Sequence, residues 1–209
     1  MNSNNRILSI YKSRKTIIEL MEHQEFDIAE YENFSINEID AMLTNSQLDM
    51  LVENKKTNQK AYIKYYLTSK QIRPQNLEKT IEDLFEIDQV LTKKDILIVI
   101  TEDEPNDTIT TTMKYLYEHD GIFVVIHNIN RLQYNILNHV LVPACTILDD
   151  KEVEEMKQKY NVKDIMTQLP EISRFDPQAL AICLRPGQVC KFQRESATAM
   201  FYDYYRVCV

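Results

Sequence analysis

Asp49 and the run Glu53-Asn54-Lys55 come closest, by residue type, to a catalytic set. Two carboxylates sharing a divalent ion, beside a lysine that assists an attacking water, are the equipment of a metal-dependent nuclease. The spacing argues against it. Only three residues separate Asp49 from Glu53, whereas the first acid of such a set belongs on a different strand from the second. Solvated charges at a strand edge explain the pattern better. No GxSxG nucleophile elbow occurs. Cys145, Cys183, Cys190 and Cys208 form no CxxC pair, and His23, His119, His127 and His139 stand at no ligand spacing beside them. Buried or half-buried thiols are the reading they support. No catalytic residue, metal or cofactor is expected.

Composition narrows the function further. Gly121 and Gly187 are the only glycines, which excludes a Walker or Rossmann phosphate loop and a Gly/Ser linker. The net charge of −8 argues against a free-standing nucleic-acid binder, though not against a chain kept near nucleic acid in a larger basic assembly. The acidity is uneven: nine basic and ten acidic residues lie from Leu141 onward, so most of the excess belongs to the first part. Within it, Lys12, Arg14 and Lys15 of KSRK form a basic patch, either a solvated helix face or a surface near a polyanion. No apolar run reaches the roughly 18 residues of a membrane span. The opening MNSNNRILSIYKSRK lacks a signal-peptide core. An intracellular protein with no membrane or small-molecule substrate is the expectation.

The elements that must position these residues follow from periodicity. Ile7, Ile10, Ile17, Leu20 and Met21 recur at helical spacing over 6–24. Residues 47–53 and 61–67 read as strands joined by the polar loop NKKTNQK. A helix is expected within 73–91. DILIVI and GIFVVIHN read as buried strands, with a helix between them that ends near Gly121. That order implies a parallel crossover unit and an α/β domain. Pro143 keeps Val142 out of the helical region, and Asp149 or Asp150 starts a further helix. The domain boundary is placed at 140, giving 1–140 and 141–209, an α+β two-domain chain. In the second part VCKF and YYRVCV read as strands, and Pro186-Gly187 suits the centre of a type II turn. A domain of some 70 residues buries a modest share of its surface and leans on partners.

The C-terminal residues carry a resemblance. Leu169, Pro170, Ile172, Asp176, Pro177, Gly187, Gln188, Val189, Lys191, Arg194, Ser196, Thr198, Ala199, Tyr205 and Arg206 stand as in the assembly domain of the fifth subunit of eukaryotic nuclear RNA polymerases, the domain that forms the whole of the corresponding, shorter archaeal subunit. The similarity runs nearly ungapped over 142–209. YKSRKTIIELM and LIVITEDEPNDT resemble the eukaryotic subunit's first domain more weakly, and the Asn-, Ile- and Lys-rich usage fits the family branch of large DNA viruses such as African swine fever virus. The resemblance implies a non-catalytic subunit. Its C-terminal domain would dock on the largest polymerase subunit. Its N-terminal "jaw", a degenerate restriction-endonuclease-like α/β fold, would lie toward downstream double-stranded DNA, with Glu104, Pro105 and Asn106 and the Lys12–Lys15 patch nearest the duplex. The acidic EDEPND loop argues against tight phosphate contact.

The expected interface comprises Asp176, Pro177, Gly187, Gln188, Arg194, Ser196, Thr198, Tyr205 and Arg206. Arg194, Ser196 and Thr198 would bond partner backbone. Arg206 would meet a partner carboxylate or one within its own strand pair. Tyr202 and Tyr204 would share one strand face, and Tyr205 the other. Two family glycines are replaced, by Cys183 and Met200, so a turn at Met200 is expected to use another geometry or a relaxed bend. A metal-dependent nuclease and a dissociable polymerase-binding regulator are the alternatives. The resemblance places a viral member in the host cytoplasm and virion, and a cellular one in the nucleus.

Overall fold

The computed structural model describes residues 3–209. Contacts divide the chain into two compact units, one ending at Asn135 and one spanning Ile136–Val209.

The first unit is built on a four-stranded sheet: β1 (Met50–Glu53), β2 (Lys60–Tyr65), β3 (Ile96–Thr101) and β4 (Phe123–Asn128), in the order β1-β2-β3-β4. β1 and β2 form an antiparallel hairpin, and β2, β3 and β4 run parallel. Parallel neighbours need crossovers. These are α3 (Pro74–Ile81) and α4 (Asp107–Tyr115), so the expected β–α–β unit occurs twice in succession. ILIVIT and FVVIHN are buried at every position, as strands covered on both faces must be. α1 (Ser3–His23) buries Ile10, Ile17, Leu20 and Met21. α2 (Ile36–Thr44) starts at a capping box, in which Ser35 Oγ accepts from Glu38 N and Glu38 accepts from Ser35 N.

Two local expectations need correction. The helix expected at TIEDLFEIDQVL, after a polar entry from Arg73, lies earlier: α3 takes up the polar entry and ends at Ile81, and Glu82–Ile87 widens into a π turn. The chain then folds back, because Val90 N and Leu91 N both donate to Leu84 O, at 2.9 and 3.2 Å, past Gln89 in the left-handed conformation. The first strand begins at Met50 rather than 47. Just before it, Leu48 O and Asp49 serve side-chain partners.

The second unit carries β5 (Ala144–Ile147), α5 (Asp150–Tyr160), α6 (Ile165–Gln168), β6 (Glu171–Ile172), α7 (Pro177–Ala181), β7 (Val189–Ser196) and β8 (Met200–Cys208), with sheet order β5-β7-β8-β6. Asp149 is the N-cap of α5, with Glu152 closing the capping box, and Asn161 ends the helix with φ 54°. The core is Cys145, Ile172, Ala179, Ile182, Leu184, Cys190, Phe192 and Cys208, with Leu137, Ile147 and Tyr204 packed against it. All four cysteines are free and buried. The chain is therefore a mixed α/β protein with two sheets.

Candidate subunit interface

The β7–β8 hairpin is the feature that singles out the second unit. Gly187, at φ 87°, and Pro186 form a type II turn closed by Gln188 N donating to Arg185 O at 3.1 Å. From there the strands pair from Val189↔Val207 to Ser196↔Met200. The segments expected as short strands are the inner ends of longer ones, and RESATA is the hairpin tip rather than a separate element.

Support from other strands stops partway. β5 covers β7 only from Cys190 to Gln193, and β6 covers β8 only at Val207 and Cys208. Among the described residues, Met200 to Arg206 therefore has a strand neighbour on one side alone. Its apolar side chains face outward: Met200 is 76% exposed, Phe201 53% and Tyr202 42%. An unpaired edge rich in aromatics is a template for another chain.

The tip turn settles the geometry at Met200. Ala197, Thr198 and Ala199 form the loop, and Met200 itself adopts φ 58°. The expected alternative geometry is thus corrected: methionine takes the left-handed conformation that favours glycine. Cys183 does the same at φ 52°.

The expected interface residues divide by what they hold. Asp176 caps α7, accepting from Gln178 N at 2.9 Å, with Pro177 at the first helical position. Gln188 Oε1 accepts from Arg185 N at 2.8 Å, inside the Gly187 turn. Ser196 Oγ accepts from Thr198 N and Ala199 N, both at 3.4 Å, and lies 3.3 Å from Thr198 Oγ1. These six maintain the frame. Arg194 and Arg206 flank Tyr204, 4.2 and 5.5 Å from its ring, on the face that continues outward from Cys190 and Phe192. Arg206 Nε is buried without a hydrogen-bond partner, and among the described residues no carboxylate pairs with it. Tyr205 turns to the opposite face, 5.5 Å from Tyr160, and its hydroxyl pKa is pushed up to about 12 by burial and then by Asp203. Met200, Phe201 and Tyr202 lie outside the interface expected from the sequence. Their signal is strand alternation running from 200, hidden when the strand is started only at Tyr204.

In the first unit the nuclease-like residues serve the fold. Asp49 accepts from Tyr62 Oη at 3.1 Å and from Tyr65 N at 3.0 Å. Burial, with Asp49 adding to it, pushes the Tyr62 hydroxyl pKa up to about 12. Asn54 Oδ1 accepts from Lys56 N and Thr57 N to shape the β1–β2 turn, and Lys55 pairs with Asp27. Lys12 and Lys15 are exposed, but Arg14 is only 3% exposed, stacked between Tyr31 and Phe34. As a solvent-facing phosphate contact Arg14 is therefore corrected: its charge points into the unit. Glu104 pairs with Arg131 Nε at 2.6 Å, and Asn106 caps α4 by accepting from Ile109 N. The EPN loop is thus a capped helix entry whose glutamate is already answered by a cation.

Residues 134–208 match the family model "RNA polymerase Rpb5, C-terminal domain". Over 77 residues the chain is 43% identical to DNA-directed RNA polymerase subunit Rpo5 of Thermococcus kodakarensis, covering 37% of this chain and 92% of that protein. The chain belongs to the RNA polymerase subunit 5 family. Another Rpo5, from Pyrococcus abyssi, is 40% identical over the same length and shares. DNA-directed RNA polymerases I, II, and III subunit RPABC1 of Caenorhabditis elegans is 40% identical over 96 residues, 46% of this chain and 41% of that one. The subunit 5 homologues are non-catalytic members of their complex. The matched region holds the whole second unit's sheet, including the open hairpin.

Proposed function

We propose that this subunit 5 homologue is a structural component of a multisubunit DNA-dependent RNA polymerase, and that its second unit docks on the largest subunit. The observations that carry this reading are the match over 92% of an archaeal subunit's length and the family match over residues 134–208, which hold the hairpin. The unpaired edge of β8, its exposed Met200, Phe201 and Tyr202, and the Arg194–Tyr204–Arg206 stack supply the contact surface. Aromatic and arginine side chains of this kind are what interface centres favour.

The first unit is then the jaw, with an inactive restriction-endonuclease-like ancestry, directed toward downstream DNA. Lys12, Lys15 and the Glu104–Asn106 loop are its nearest groups to the duplex. The exposed lysines support proximity, and the paired glutamate supports a loose contact. The Asn-, Ile- and Lys-rich usage supports the further proposal that the chain is of the viral branch, serving viral genes in the host cytoplasm and virion; a cellular member would act in the nucleus.

Co-expression of the full chain with its polymerase subunits tests the docking. One copy per enzyme is expected to survive washing at about 1 M salt, where exposed charge contacts are screened to a few ångströms. Phe201→Asp with Tyr202→Asp should abolish retention while leaving the free chain folded. Loss of the unmutated chain in salt would identify a dissociable regulator instead.

A further inference from the structure

Arg14 carries a charge that the fold does not answer. It is 3% exposed, and Nη1 donates to Leu48 O at 2.8 Å. Its Cζ lies 5.5 Å from the Phe34 ring centre and 5.9 Å from that of Tyr31. Nε has no hydrogen-bond partner, and among the described residues no carboxylate stands within ion-pair distance. Burial accordingly lowers its pKa from the usual arginine value. A buried guanidinium with one neutral acceptor is a costly arrangement unless an anion joins it.

A cavity of about 370 Å³ opens beside it, lined by Arg14, Lys15, Tyr31 and Phe34. That volume falls within the range of small-ligand and side-chain pockets, roughly 300–1,000 Å³. Glu19, Glu22 and Glu32 line the same cavity. Two cations against three carboxylates disfavour a phosphate backbone. They suit a ligand in which one carboxylate sits between positive groups.

We propose that this cavity binds a polypeptide segment of another protein that carries an acidic side chain flanked by lysine or arginine. The acidic side chain meets Arg14 and Lys15, the planar guanidinium being shaped for a carboxylate. The flanking cations meet the three glutamates, and the aromatic walls cover the stem. Tyr31 is held for this by its hydroxyl, which donates to Leu51 O and accepts from Leu51 N, both at 3.1 Å.

The test follows the Arg14 Nε–H signal of the isotope-labelled full chain by NMR, with Arg206 Nε–H as internal reference. The probes are Ac-Lys-Glu-Lys-NH2, Ac-Lys-Gln-Lys-NH2, sodium acetate and inorganic phosphate. The acidic peptide should give a saturable shift at Arg14, with affinity at least tenfold above the glutamine peptide and acetate. Lys15→Gln, at an exposed position, should weaken it severalfold without disturbing the rest of the spectrum. Arg14→Met, which removes that signal, should abolish binding of the acidic peptide as read by titration calorimetry. The proposal is overturned if the two peptides respond alike, if acetate binds as tightly as the acidic peptide, or if phosphate saturates first. It also falls if Lys15→Gln changes nothing, or if Arg206 shifts as much as Arg14.

Discussion

The two sheets bury their strands to opposite degrees. In the first unit β3 and β4 are buried at all twelve positions. In the second, β8 is buried only at Val207 and Cys208, and its first four residues are exposed. The first sheet is completed by its own unit, with parallel strands linked through helices. The second leaves half a hairpin without a neighbour. Under the proposed docking, the difference separates stability from association: substitutions in β3 should act on folding, and substitutions in the outer half of β8 on what the chain binds.

The largest effect should therefore come from the closed sheet. Leu97 and Ile98 are 0% exposed. Leu97→Ala should cost about 3–5 kcal/mol, the transfer loss plus the cavity left behind. Phe201→Ala, at an exposed position, should change unfolding free energy by under about 0.5 kcal/mol, yet reduce polymerase retention. Urea unfolding of both variants checks the first pair of values, and co-purification the last. A large loss of stability in Phe201→Ala would mean that the hairpin tip is part of the core after all.

Acid should also act on the closed sheet of the first unit. His127 lies in β4, and burial, with Arg131 adding to it, pushes its pKa down to about 4 from an ordinary 6.5. The unfolded chain takes up a proton between these values and the folded chain does not. Stability is thus complete above about pH 6.5 and is lost as pH falls toward 4, by about 3 kcal/mol at roughly 1.4 kcal/mol per pKa unit. His127→Gln should flatten the difference in unfolding free energy between pH 7 and pH 4.5. An unchanged slope would assign the acid limb elsewhere.

The same contrast explains what could be read without coordinates. Parallel strands covered on both faces announce themselves as apolar runs, and DILIVI and GIFVVIHN were legible for that reason. The PG turn was legible because its chemistry demands glycine. α2 was missed although Ser35 and Glu38 spell a capping box, a signal four residues long and easily passed over. The tip of the hairpin was misread for a deeper reason: its exposed Met200, Phe201 and Tyr202 have no buried partner to set a period. Arg14 was misplaced similarly: KSRK reads as a charged patch, and only the fold back of Tyr31 and Phe34 shows that one member points inward.

The smallest effect lies at the tip itself. Met200 and Cys183 hold φ of 58° and 52°, where a side chain costs about 1 kcal/mol that glycine avoids. Cys183 is 4% exposed, so removing its side chain would also lose packing. Met200 is 76% exposed and gives up little. Met200→Gly should thus raise the stability of the chain by up to about 1 kcal/mol, while Cys183→Gly should come out near neutral or negative. If Met200→Gly is stabilising but weakens polymerase retention, the methionine is kept for its contact at the expense of the turn. If retention is unchanged, the side chain lies outside the bound surface, and the edge from Phe201 to Arg206 carries the docking alone.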